Sequence, residues 1–311
     1  MTRPPLDGAG LHGAAPHTPE EARQSHLESA AWRQMLLWGL RNVPVPLQRA
    51  SMPLWAAFFY AQVPHVRRGI ERNLARLLGL RAPRLQIAAF RTFTNYCSCI
   101  ANAYRLHAGA PLTIPALTTG LEGLRDALAA GRGAVLATGH LGNWHLGPYF
   151  LGQHDLPPIT VVMHEEPDPE TQRIESSLRD RRMRVVYSSH APLLTLELRS
   201  ALLRGELVGV QMDRPSLGGG MPVTCAGRRA VFALGPALLA RACDVPVFPV
   251  FFPLDGDGVR ILVEPPLWSR HTTDRGADHA ELSERLAAIY ARMIRRYPEQ
   301  WFNFYEFWND G

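Results

Sequence analysis

The chain has 311 residues, 46% hydrophobic and 20% charged, which allows one large or two ordinary domains and excludes a disordered, collagen-like or coiled-coil chain. Its formal net charge is +5, from 33 basic and 28 acidic residues, and every base is arginine. That modest surplus suits an anionic membrane face or a phosphorylated ligand, and no nucleic-acid motif accompanies it.

Residues 1–25, rich in Pro, Gly, His and Glu, read as a disordered leader without the apolar core of a signal peptide. The stretch 32–63 is aromatic and aliphatic, but Arg41, Pro44, Pro46 and Arg49 interrupt it. Its longest clean run, Met52 to Val63, is shorter than the about 20 residues of a spanning helix. It is expected to form a helical hairpin lying on or dipping into a bilayer, or else an ordinary core helix pair. Residues 66–108 read as two helices broken near Arg81–Pro83, with Ile70, Leu74, Leu77 and Leu78 on one face of the first.

From Gly120 the pattern changes. An amphipathic helix closed by glycine leads to a short buried strand, AVLATG. Further strands are expected at 159–164, 183–189, 206–213, 245–252 and 258–265, and helices at 169–184, 191–204, 233–243 and 279–296. This alternation predicts an α/β fold, a mostly parallel or mixed central sheet flanked by helices. The organisation read from it is a leader (1–25), a helical membrane-associating part (26–115) and an α/β core (116–311). The four cysteines, Cys97, Cys99, Cys225 and Cys243, are too few and scattered for a disulfide framework and read as reduced structural thiols.

The strongest chemical signal is ATGHLGNWHLG, residues 137–147. His140 follows a buried strand in a glycine-flanked turn, where open α/β sheets place their ligands. A neutral imidazole there can take a proton from a hydroxyl. Asn143 can cap the next helix, and the backbone N–H groups around Gly142 and Asn143 are candidates to hold an oxyanion. His140 and His145 alone do not make a zinc site, which needs two more ligands. No GxGxxG or P-loop follows a strand, so no nucleotide cofactor is expected, and with only two histidines together no metal is expected either. Gly218, Gly219 and Gly220 read as a mobile lip.

The same segment resembles the H-x4-[DE] box, in the form H-x-G-N-W-[ED], of the lipid A late (lauroyl/myristoyl) acyltransferases within the lysophospholipid acyltransferase superfamily. The resemblance runs from about Trp38 to Trp308. It takes in RRGIERNLARLLG at 67–79, RMR at 182–184, the stretch from GELVGVQMDRP through VPVFPVFF, and PEQWFNFYEFW at 298–308. It implies acyl transfer from an acyl carrier protein or acyl-CoA thioester to a hydroxyl of a lipid or glycolipid. His140 would be the general base, and the acid of the box would orient it and stabilise its charged form. It also implies that Arg182 and Arg184, or Arg228 and Arg229, grip a phosphate, and that the protein works on the cytoplasmic face of a bacterial inner membrane.

Two positions depart from the pattern. The acidic position of the box is His145, which can accept a hydrogen bond but supplies no negative charge. Three readings follow: an inactive lipid-binding homologue, a dyad of His140 with His145, or an acid supplied from elsewhere. Asp213, closing a strand of the same parallel sheet, is the candidate for the last, with Glu165 and Glu166 behind it. The aromatic closing segment ends in Glu306 and Asp310 rather than in bases, which opens other acceptors, such as an aryl-polyene-type lipid or another glycolipid. A thioester hydrolase would use the same base with water.

Overall fold

A computed structural model of the protein describes residues 30–107, 114–163, 169, 183–187, 191–215 and 220–308. The expected leader, most of the helix expected over 169–184, His164, Glu165, Glu166, Arg182, Gly218, Gly219 and Asp310 lie outside them.

Four helices come first: α1 (Ala30–Asn42), α2 (Val45–Gln62), α3 (Pro64–Leu78) and α4 (Arg84–His107). Pro44 separates α1 from α2 because a proline disfavours helical backbone in the residue before it, and Pro46 sits in the first turn of α2, where its missing N–H costs nothing. Ile70 and Leu74 of α3 are buried, and Gly79 stops the helix in the left-handed region (φ 67°), its N–H on the Ala75 carbonyl. The break before α4 falls where the sequence places it, at a cis Ala82–Pro83 bond. The helices pack on one another through Ala56, Ile70, Leu74, Ala89 and Phe93. Buried Asn73 fastens α3 to the end of the chain: its Nδ2 donates to the Asn303 and Tyr305 carbonyls, and its Oδ1 accepts from the Phe307 N–H.

The core is an eight-stranded sheet. Its path is β1 (Ala116–Thr119), β10 (Gly258–Val263), β8 (Val247–Phe251), β2 (Ala134–Thr138), β5 (Leu207–Gln211), β3 (Ile159–Met163) and β4 (Met183–Tyr187), with the short β9 (Leu254–Asp255) on β10. Only the β10–β8 and β9–β10 pairings are antiparallel. The sheet is therefore mostly parallel and flanked by helices, as the alternating pattern predicts. Strand side chains alternate between faces. Val135 and Ala137 join Val208, Val247 and Phe251 under helices α7 (Ala191–Leu203), α8 (Gly235–Cys243) and α9 (Arg275–Arg296). Ala134 and Leu136 join Leu207, Phe248 and Val250 under α5 (Leu121–Ala129) and α6 (Gly147–Gly152).

A hairpin and two short strands depart from the sequence reading. The stretch expected to form a glycine-rich lip and loop contains the hairpin, β6 (Gly220–Cys225) and β7 (Arg228–Ala233). Val223, Cys225, Ala230 and Phe232 bury its inner face, and Ala226 and Gly227, both at positive φ, make its two-residue turn. β1 and β9 are too short to stand out by periodicity. Met183 and Arg184 open β4, the strand expected over 183–189. All four cysteines are free thiols.

Candidate active site

The parallel sheet builds the site at its carboxyl edge. β2 and β5 are neighbours, with Thr138 in register with Gln211. His140 and Asp213 each lie two residues beyond that pair and so emerge side by side. The Met212 N–H on the Thr138 carbonyl (2.8 Å) carries the pairing one step past the strands.

The His140 ring nitrogen Nδ1 is 2.9 Å from Asp213 Oδ1, and the His140 backbone N–H donates to Oδ2 at 2.9 Å. A carboxylate only accepts, so Nδ1 carries the proton and Nε2 keeps its lone pair. Nε2 has no partner among the described residues, and the His140 side chain is 10% exposed while that of Asp213 is 0% exposed. A buried carboxylate on one nitrogen of a partly exposed imidazole, with the other nitrogen unpartnered among the described residues, is the arrangement a general base needs. Burial by itself would raise the Asp213 carboxyl. The charge and hydrogen bond of His140, the hydroxyl of Tyr290 and the charge of Arg214 together outweigh it and hold the group at about 2. Asp213 is therefore ionised at neutral pH.

The rest of the loop is held from afar. The closing segment after the short 3-10 turn Pro298–Gln300 runs beside it, with Leu141 bridged to Trp301 and the Phe302 N–H on the His140 carbonyl at 2.8 Å. Trp301, Phe302, Phe307 and Trp308 are buried there as a cap on the core. The Trp144 ring stands edge-on to His140 at 5.0 Å and against His145 at 4.2 Å. Arg214 donates to the Phe302 carbonyl and lies over the Tyr305 ring.

Several expected roles are corrected by these contacts. His145 is exposed in the 3-10 turn Trp144–Leu146 and does not meet Nδ1 of His140, a position filled by Asp213. The Gly142 N–H is spent on the Gln300 carbonyl (2.9 Å) and the Asn143 N–H on the Phe252 carbonyl (2.7 Å), so neither amide is open to an oxyanion. Asn143 makes no side-chain cap; its amide is buried without a partner among the described residues. Arg184 does not reach His140. It pairs in register with Thr160, which pairs with Val208 and that with Val135, at the amino ends of the strands. Arg228 and Arg229 begin β7 at the turn of the hairpin, whereas Ala233, at its other end, is the residue bonded to Met212. That separates them from the Asp213 end by about 15 Å of strand. Glu165, Glu166 and Arg182 are outside the described residues. Among the described residues no group of three or more His, Cys, Asp or Glu is placed to hold a metal ion.

Tyr290 of α9 escaped the sequence reading. Its hydroxyl donates to Asp213 Oδ2 at 2.5 Å. In the sequence it is one apolar position of an amphipathic helix; the only local hint is a polar tip on the face expected to be buried.

The family model for bacterial lipid A biosynthesis acyltransferases matches residues 21–310. A phosphatidylinositol mannoside acyltransferase of Mycolicibacterium smegmatis is 29% identical over 242 residues, 75% of this chain and 76% of its own. One of Mycobacterium tuberculosis is 27% identical over 308 residues, 94% of this chain and 92% of its own.

Proposed function

The chain belongs to the bacterial lipid A biosynthesis acyltransferase family, and we propose that it moves a fatty acyl group from an acyl-carrier-protein or CoA thioester to a glycolipid hydroxyl, with His140 as general base. The observation that carries this reading is the buried Asp213 carboxylate 2.9 Å from Nδ1 of His140. The acid missing from the family box is replaced by one from the neighbouring strand, which weighs against an inactive homologue. In the reaction, Nε2 takes the acceptor hydroxyl's proton as the oxygen attacks the thioester carbonyl. Asp213 stabilises the imidazolium formed, and the thiolate leaves with the proton returned by His140. These two relatives are named for a phosphatidylinositol mannoside, so a mannosylated phospholipid is the first acceptor to try and lipid A precursor the second.

The test is a thioester assay on purified protein with acyl-CoA or acyl carrier protein and each acceptor, products read by mass spectrometry. An added acyl group on either glycolipid supports the reading. Free fatty acid alone, or acyl binding without turnover, overturns it.

The N-terminal helices supply the proposed route to a lipid. Leu47, Leu54, Trp55 and Phe58 share one face of α2 and are exposed, Leu54 at 74%, and Trp38 of α1 is 64% exposed. Arg41 and Arg49 are exposed on the same helices. No helix among the described residues is long and apolar enough to cross a membrane, so the proposed attachment is peripheral, on the cytoplasmic face of the inner membrane. The triple change Leu54→Ala, Trp55→Ala, Phe58→Ala is expected to weaken binding to anionic phospholipid vesicles about a hundredfold and to leave thermal stability nearly unchanged. Unchanged vesicle sedimentation would remove α2 from the membrane contact.

A further inference from the structure

Three donors converge on the Asp213 carboxylate. The imidazole uses Oδ1, while the His140 backbone N–H and the Tyr290 hydroxyl both use Oδ2. At 2.5 Å the phenol contact has the length of a charge-assisted O–H···O⁻ bond. Tyr290 is completely buried, its ring set among Phe232 at 5.7 Å, Phe251 at 6.2 Å and Phe307 at 6.3 Å. Burial, first, and then the Asp213 charge hold the phenol well above its ordinary range, so it remains a donor.

Gly139 supplies a second, independent observation. Its φ is not positive, so it is not there for backbone freedom. A Cβ on it would stand 2.4 Å from Cε2 of the Tyr290 ring and 3.0 Å from the phenol oxygen. The glycine just before His140 thus makes the space in which the phenol reaches the carboxylate.

We propose that Tyr290 is a positioning residue of acyl transfer: its hydroxyl clamps Oδ2, keeps Oδ1 on Nδ1 of His140, and moderates how tightly the carboxylate holds the imidazolium. This rests on the reading of His140 as the base. Tyr290 touches no reacting atom and acts through Asp213. A carboxylate relieved of the phenol bond is more basic and grips the imidazolium harder, so the free base is regained only at higher pH. The loosened carboxylate also fixes the imidazole less well. A phenol that merely satisfied its own burial would have neither effect.

The experiment is the pH profile of acyl transfer for the wild type, Tyr290→Phe, and protein carrying 3-fluorotyrosine at position 290, with His140→Ala alongside. Tyr290→Phe keeps the ring and is expected to fold. Its kcat should fall about tenfold with KM unchanged, and the acid limb of kcat/KM should move up by about half a pH unit. Fluorotyrosine, a stronger donor in a nearly unchanged shape, should move the limb the other way, and it serves as the test if the Phe variant does not fold. Acid limbs that coincide with the wild type in the folded variants would overturn the proposal. Activity retained by His140→Ala would instead overturn the reading on which it rests, whatever the Tyr290 variants show.

Discussion

Asp213→Asn is expected to reduce acyl transfer by about 10³–10⁴-fold in a protein that still folds, as does loss of the orienting acid from a histidine base elsewhere. The reason lies in the two donors on Oδ2. The His140 N–H and the Tyr290 hydroxyl both require an acceptor, so the amide of the variant must place its oxygen there. Its NH₂ is then turned to Nδ1 of His140, the atom that contacts Oδ1 at 2.9 Å in the native protein. Two donors cannot face each other, and the imidazole must switch to the tautomer that protonates Nε2. That nitrogen can then no longer accept the proton of a hydroxyl. His145→Ala, in contrast, should stay within about twofold of wild type, since His145 is exposed and such positions carry small effects. Single-turnover rates with a thioester and glycolipid acceptor decide the matter. Full activity in Asp213→Asn, or its loss in His145→Ala, would return the orienting role to the family box position.

The partnership of His140 with Asp213 was legible because it depends on a rule that needs no coordinates. Parallel strands present their carboxyl ends on one edge, and both residues follow buried strands by the same short step. Where only the partner's place in space matters, the sequence is silent. The amides of Gly142 and Asn143 look available in a glycine-flanked turn. Their acceptors, the carbonyls of Gln300 and Phe252, come from more than a hundred residues downstream. Arg184 starts β4, as its place at the head of the strand pattern suggests; the basic motif alone does not show that this end lies away from the edge that carries His140. The β6–β7 hairpin hid behind glycine and proline, although the alternation of Val223 with Cys225, and of Ala230 with Phe232, is a strand pattern. Tyr290 shows the same limit: helical periodicity identifies its buried face and not the carboxylate it meets.

Gly142→Ala is expected to cost about 2–5 kcal/mol of stability and most of the activity, the sum of a left-handed backbone penalty and an overpacking penalty. Gly142 sits at φ 66°, which disfavours any side chain. A Cβ there would also lie 2.2 Å from the Phe252 carbonyl oxygen and 2.7 Å from the Pro253 Cα. Both are main-chain atoms, so no side-chain rotation relieves the clash. The loop would have to withdraw from the strand beyond β8, breaking the Asn143 N–H to Phe252 carbonyl bond and straining the Gly142 N–H to Gln300 carbonyl bond. The same loop carries His140 two residues earlier, so the imidazole would leave Asp213 as the loop moves. Gly79 separates the two penalties. It has a similar φ of 67° but open space where a Cβ would go, so Gly79→Ala should cost only about 1–2 kcal/mol and spare activity. Urea unfolding of both variants, with acyl transfer measured beside it, gives the comparison. Equal costs would mean that the close approach of the two chain segments contributes nothing, and that Gly142 serves its turn through backbone conformation alone.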